Sequence, residues 1–380
     1  MAHPGDLDTS FGSGGKKAIN FGGTDAAQAV LVQPNGRVVA AGGGGPASSF
    51  CVVRLRAANG TLDPTFGTGG KRIVDFGGDD ESVYGAALQP DGKIVLAGDS
   101  RLQPAVIRLK ANGALDTSFD GDGKKLFSWG AIGRVTAVVA VSNGKILLGG
   151  FSGPEGGNIQ VARLKANGAL DTTFATGGIA TVDFGGDDFG EAMVRQADGR
   201  IVVTGRSTAA GAVVARLRAT GALDPDFGVG GRVTLPGGGS ARAVLMQPDG
   251  KIVVAGNASL SAMMIVTRLM PNGSPDPTFD GDGTATIDFG STSDIAAGVV
   301  RQPDGKIVVA GYTQASEDVA VARLNPNGSP DTTFGVAGKA TVDFGVATFG
   351  NAVARAPNGR IVVAGQKTGG DNFAVARLLA

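Results

Sequence analysis

Histidine, cysteine and tryptophan each occur once in these 380 residues, and tyrosine twice. The lone cysteine, Cys51, permits neither an intrachain disulfide nor a thiolate metal cluster. The lone histidine, His3, lies near the N-terminus, so a Ser-His-Asp triad, a multi-histidine metal site and histidine general-base catalysis are not expected. Net charge is lacking too: Lys plus Arg and Asp plus Glu number 34 each, so no global field draws in nucleic acid or an anionic membrane. No apolar run approaches transmembrane length, and the opening Met-Ala-His-Pro-Gly-Asp has no signal-peptide apolar region. A soluble chain without membrane insertion is expected, cytoplasmic or, with a leader removed, secreted.

What is present is glycine, at 65 residues, and a hydrophobic fraction of 42% against 18% charged, enough for a well-buried interior. The glycines recur at fixed places between Val/Ile-rich runs, which is turn punctuation and not disorder. A Leu-Asp or Pro-Asp pair with Phe three residues after the Asp appears seven times, at Asp8, Asp63, Asp116, Asp171, Asp224, Asp276 and Asp331, spaced by 52 to 55 residues. A period near 50 denotes a propeller or solenoid unit. Within one unit the runs 243–247, 251–255, 265–269 and 284–289 are too short for helices and read as four strands, joined at Asp249-Gly250 and Asn272-Gly273 by tight turns whose residues tolerate φ > 0. Four-stranded antiparallel sheets repeated radially are propeller blades.

The ends carry the most weight. The chain starts with the strand, residues 16–21, that elsewhere follows the Arg-Leu strand, and it finishes on an Arg-Leu strand, residues 373–378, with nothing after it. The first strand is therefore the one the last blade lacks, and pairing them removes two free edges. The expectation is an all-β fold in which residues 1–380 form a single seven-bladed β-propeller, four antiparallel strands per blade, closed by its N- and C-terminal strands.

The units Leu62-Asp63-x-x-Phe66-Gly67, Gln302-Pro303-Asp304-Gly305-Lys306-Ile307 and Val321-Ala322-Arg323-Leu324 resemble the delta-60 repeat family, bacterial β-propeller units similar in appearance to NHL-repeat blades. The resemblance spans essentially the whole chain and implies the fold, but little about activity. The third repeat departs most, with Val141-Ser142-Asn143-Gly144 in place of Gln-Pro-Asp-Gly and Ser128-Trp129 interrupting its loop.

Seven copies permit an internal comparison: a residue present in all of them serves the blade, whereas one that differs is free to serve something else. The Arg of the third strand (Arg54, Arg108, Arg163, Arg216, Arg268, Arg323, Arg377) recurs in every copy and is expected to hold a loop carboxylate or carbonyl, in a bidentate pair where geometry allows. The variable residues fall where strands open on one face, termed the top. At the start of the inner strand stand Gln28, Tyr84, Thr136, Glu191, Arg242, Ala297 and Asn351, each followed by Ala or Gly. Just after the Ala-Gly or Gly-Gly of the second strand stand Gly43, Asp99, Phe151, Arg206, Asn257, Tyr312 and Gln366. The irregular aromatics Tyr84, Trp129, Phe151, Phe189, Tyr312 and Phe349 map to the same face. Such a mixture is expected to form a polar and aromatic pocket over the channel, taking a small organic molecule, a glycan or a peptide.

A carboxylate, a guanidinium and a phenol near a channel mouth (Glu191, Arg242, Tyr84) could also serve as base, oxyanion holder and proton donor, so a metal-independent lyase, isomerase, cyclase or hydrolase is the alternative. A structural or surface scaffold is the third reading. No cofactor is called for. Calcium has only the acid groups Asp79/Asp80/Glu81 and Asp187/Asp188, and the Asp-Gly-Asp-Gly turns at 120–123 and 280–283, which lack the later acidic ligand of an EF-hand loop. Arg195, Arg301 and Arg355 share one inner-strand position, too few cations for nucleic-acid recognition.

Overall fold

The short β-branched runs and their Asp-Gly and Asn-Gly turns fold as hairpins throughout. The computed structural model describes residues 2–130, 132–153, 157–259, 263–314 and 317–380. Among these residues there are 28 strands and no helix, and the strands form seven four-stranded antiparallel sheets. Six sheets are consecutive in sequence. The seventh joins Lys16–Ile19 to Asn372–Leu378, with Lys16 opposite Ala376 and Ile19 opposite Phe373. The molecule is a seven-bladed β-propeller closed between its first and last strands.

The first strands of the blades, Ala26–Val32, Glu81–Leu88, Gly133–Ala140, Asp188–Arg195, Ser240–Met246, Asp294–Arg301 and Thr348–Arg355, pack against one another around the axis. Blades are numbered 1 to 7 in that order. Strand limits differ from the sequence reading by up to three residues; the inner strand of blade 5 begins at Ser240, not Ala243. Each apolar layer is shared by two neighbouring blades. Ala243, Val253 and Val266 of blade 5 meet Ala296, Ile307 and Val309 of blade 6, while Phe11, Ile19 and Phe373 of blade 7 meet Val38 and Val53 of blade 1. Both faces of every sheet are thus buried, which is why the second and third strands are apolar without alternation.

The repeated polar residues staple these layers. In all seven blades the third-strand Arg donates from Nε to Oδ2 of the loop Asp, over 2.6 to 3.0 Å. Its guanidinium lies 4.6 to 4.9 Å from the centroid of the Phe three residues on. In six blades Nη1 reaches a backbone carbonyl of the following blade, such as Arg108 to Ala166 at 2.6 Å; in blade 6, Arg323 turns to Gln302 Oε1 at 3.5 Å instead. The pairing is monodentate, not the bidentate one open to it, because Oδ1 is occupied: a Ser or Thr hydroxyl two residues on donates to it in six blades, as Thr65 does to Asp63 at 2.7 Å. A second cation from the first hairpin turn joins each Asp: Arg37, Lys93, Lys145, Arg200, Lys251, Lys306 and Arg360.

Candidate functional site

The inner strands are irregular at one place, and it is the same place in every blade. Pairing with the second strand skips one residue, so that Ala27 faces Gly42 and Ala29 faces Ala41 while Gln28 has no partner. The same β-bulge leaves Tyr84, Thr136, Glu191, Arg242, Ala297 and Asn351 unpaired in blades 2 to 7. A bulge bends its strand and re-aims the extra side chain. Here it turns seven half-buried residues toward the axis, where with their next two neighbours and Tyr312 they line a cavity of about 390 Å³. The residue after each bulge is Ala or Gly throughout, and at Gly85 and Gly298 a side chain would meet the inner strand of the next blade, at Val138 and Val353.

Charge is concentrated in one arc of this ring. The Glu191 carboxylate lies 4.0 Å from Arg206, which in turn stacks on Phe189 with its guanidinium carbon 3.9 Å from the ring centroid. Burial pushes the Glu191 carboxyl above the ordinary glutamate range, against the pull of Arg242, Arg206 and Arg134. Arg242 donates from Nε to Asn257 Oδ1 at 3.2 Å, its one hydrogen bond among the described residues. In blade 2, burial raises the Tyr84 hydroxyl and the Asp99 carboxyl alike. Asp99 accepts from Arg134 Nε of blade 3 at 3.0 Å, and the Arg134 guanidinium lies 4.4 Å from the centre of the Tyr84 ring.

A second tier surrounds the mouth. In three blades the residue two before the bulge meets the second-strand end of the preceding blade: Arg134 on Asp99, Phe189 on Phe151 (centroids 5.0 Å apart) and Phe349 on Tyr312 (5.0 Å, 84° between planes). Of the sequence candidates, Gln28, Tyr84, Glu191, Arg242, Tyr312 and Asn351 line the cavity, whereas Asp99, Phe151, Phe189, Arg206, Asn257, Phe349 and Gln366 do not. Asn351 Nδ2 is engaged with the Ala27 carbonyl at 2.9 Å. Trp129 is not at the mouth: it is 7% exposed in the layer between blades 2 and 3, edge-on to Phe127 at 5.3 Å. Arg134, which sequence reading passed over, closes the Tyr84–Asp99 side; the variability of its position (Ala26, Ser82, Arg134, Phe189, Ser240, Ile295, Phe349) was the available signal.

Two of the acids weighed for calcium close turns. Glu81 is buried and accepts the amides of Phe76 and Gly78 and the Ser100 hydroxyl; Asp188, also buried, accepts the amide of Phe184. Asp25 and Asp294 occupy the same turn-closing position in blades 1 and 6. Among the described residues no three His, Cys, Asp or Glu are grouped to hold a metal ion.

Seven stretches, residues 33–66, 89–119, 142–174, 196–227, 247–279, 302–334 and 356–380, match the sequence profile of a family described as a domain of unknown function (DUF5122) beta-propeller. The chain belongs to the DUF5122 β-propeller family. No curated protein matches it. Among solved structures, this DUF5122 propeller is similar to virginiamycin B lyase from Staphylococcus aureus, at 9% identity and a TM-score of 0.60 over 96% of this chain and 98% of that one. It is similar to hydrazine synthase of Kuenenia stuttgartiensis, at 11% identity and 0.58 over 92% and 95%. It is also similar to YCF48 bound to D1 peptide, at 12% identity and 0.54 over 100% and 98%. At these identities the likeness is one of fold.

Proposed function

We propose that residues 1–380 act as one ligand-binding propeller of the delta-60 type, whose site is the mouth of the central channel. The observation that carries this reading is the ring of bulges. A scaffold held together by the same Arg–Asp pairing in every blade uses the same backbone device seven times to present seven side chains, and no two of them are alike. Glu191, Arg242 and Tyr84 are the polar contacts of that site, with Gln28, Asn351 and Tyr312 completing its wall. Asp99, Phe151, Phe189, Arg206, Asn257, Phe349 and Gln366 form the surround that sets its shape. The ligand is a small organic molecule, or the end of a glycan or peptide. Propellers of the same fold include a lyase and a peptide-bound protein, and both uses are compatible with a channel-mouth site.

Catalysis at the same place is the second reading, and one observation favours it. A glutamate whose carboxyl is raised by burial, an arginine in the next blade with only its Nε engaged among the described residues, and a half-buried phenol on the same ring are groups suited to general acid–base chemistry.

A thermal-shift screen of small organic acids, sugars and short peptides, repeated on Tyr84→Phe, Glu191→Gln and Arg242→Ala, tests the site. Hits against the parent should weaken in at least the Glu191 and Arg242 variants. Hits that bind all three variants as they bind the parent would refute it.

A further inference from the structure

The residues around the cavity are unequal in charge and in space, and the two inequalities lie side by side. On one side of the mouth Arg134 and Asp99 close on each other at 3.0 Å, with Asp80 acting on Asp99 as well; the other side lies across blades 4 and 5, apart from that pair. What remains is Arg206 and Arg242 against Glu191, a surplus of one positive charge. The surplus is best met by a monoanion, because a dianion would set a net negative charge beside the half-buried Glu191 carboxylate.

Arg242 is the receiving group. Only its Nε is hydrogen-bonded among the described residues, to a neutral amide, so the paired N–H groups of its fork stay available at the cavity wall. A planar fork of that kind matches a carboxylate in a two-point contact.

The gap lies in the adjoining blade. Ala297 is the smallest of the seven bulge residues, and Gly298 follows it. Beside them, Tyr312 is the one second-strand residue that reaches the cavity among those described, and Phe349 holds it edge-on. A rigid aromatic wall next to the notch left by the short Ala297 side chain suits a flat ring, which gains from edge or offset contact with tyrosine. Blades 5 and 6 are neighbours around the axis, so the cation and the notch adjoin. The cavity, about 390 Å³, is of small-molecule size.

Resting on the channel-mouth reading above, we propose that the ligand is a small aromatic carboxylate, its carboxylate held by the Arg242 fork and its ring lodged beside Tyr312 in the notch at Ala297.

Calorimetric titration of the full chain with phenylacetate, phenylacetamide and phenyl phosphate tests this. Phenylacetate should bind saturably, with the amide and the phosphate about tenfold or more weaker, the amide because it loses the charge-assisted contact and the phosphate because its second charge meets the Glu191 carboxylate. Arg242→Gln should erase the preference for acid over amide, and Ala297→Leu, which fills the notch, should weaken all three. Melting temperatures of both variants report that the fold persists, and the comparison of acid with amide on the parent needs no variant at all. An amide that binds the parent as tightly as the acid, yet is still blocked by Ala297→Leu, overturns the ligand class and leaves the channel-mouth site standing. Phenylacetate that binds the parent and both variants equally overturns the inference and the site together. No saturable binding up to about 10 mM overturns the ligand class, and the site is then judged by the hits of the broader screen.

Discussion

A Cβ on Gly98 would fall on the backbone carbonyl oxygen of Ser82, because Val83 pairs with Gly98, Gly85 pairs with Ala97, and Tyr84 is left out between them. The same clash waits at Gly42 with Ala26, Gly150 with Arg134, Gly205 with Phe189, Gly256 with Ser240, Gly311 with Ile295 and Gly365 with Phe349. Each glycine leaves the room that lets its bulge form, and each bulge presents one residue of the channel ring.

Gly98→Ala should therefore lower stability by about 1–3 kcal/mol in urea denaturation, the usual cost of forcing a methyl into a packed site. It should also disturb the environment of Tyr84, which near-ultraviolet circular dichroism can follow. A variant as stable as the parent would mean the bulge does not depend on this glycine.

The two cations on each loop Asp are not equivalent. Asp276 is 1% exposed and meets Arg268 at 2.6 Å and Lys251 at 2.9 Å; Arg268 is buried, whereas Lys251 retains contact with solvent. Removing the buried partner strands a buried carboxylate, so Arg268→Ala should cost about 3–5 kcal/mol. Lys251→Ala should cost about 1 kcal/mol or less, as partly exposed pairs do. Equal effects in urea denaturation would contradict the assignment of Arg268 as the structural partner.

Much of this was legible in the sequence, because seven copies act as their own alignment. The blade count, the closing strand, the Arg–Asp pairing and the variable positions at the channel all follow from what repeats and what does not. The bulge was not legible by that route. Alternation over so few residues cannot distinguish a strand that starts at Ala243 from one that starts at Ser240 with an unpaired Arg242, although the invariant glycine of the second strand marked the place. Trp129 was misleading because an irregular aromatic can fill an irregular gap between blades as readily as a pocket.

Acid should loosen the ring of loop aspartates. Burial opposes ionisation of Asp8, but the Ser10 hydroxyl, Arg360 and Arg377 outweigh it and hold its carboxyl at about 2. Asp63, Asp116, Asp224, Asp276 and Asp331 are likewise held low against burial, and Asp171 chiefly by Lys145. Carboxyls depressed by folding add stability that is present above their unfolded value near 4 and is lost as pH falls through the folded value. The melting temperature should thus drop steeply between about pH 4 and pH 2. Asp8→Asn should be less stable than the parent at neutral pH and lose less on acidification.

Glu191 has the opposite sign. Its carboxyl is raised in the folded state, so its favourable contribution is complete below the unfolded value and lost as pH rises through the folded one. Glu191→Gln should therefore melt above the parent at neutral pH, with the gap closing in acid. A Gln variant less stable at neutral pH would mean that Arg206 and Arg242 outweigh burial.

The chain has two tyrosines, Tyr84 and Tyr312, and both line the cavity. Fluorotyrosine incorporation followed by fluorine NMR therefore gives two signals, each reporting on the channel mouth, and a hit from the ligand screen can be titrated against them directly. If the channel mouth is the binding site, at least one signal shifts in step with saturation. A ligand that saturates the protein while both signals stay where they were would contradict the account.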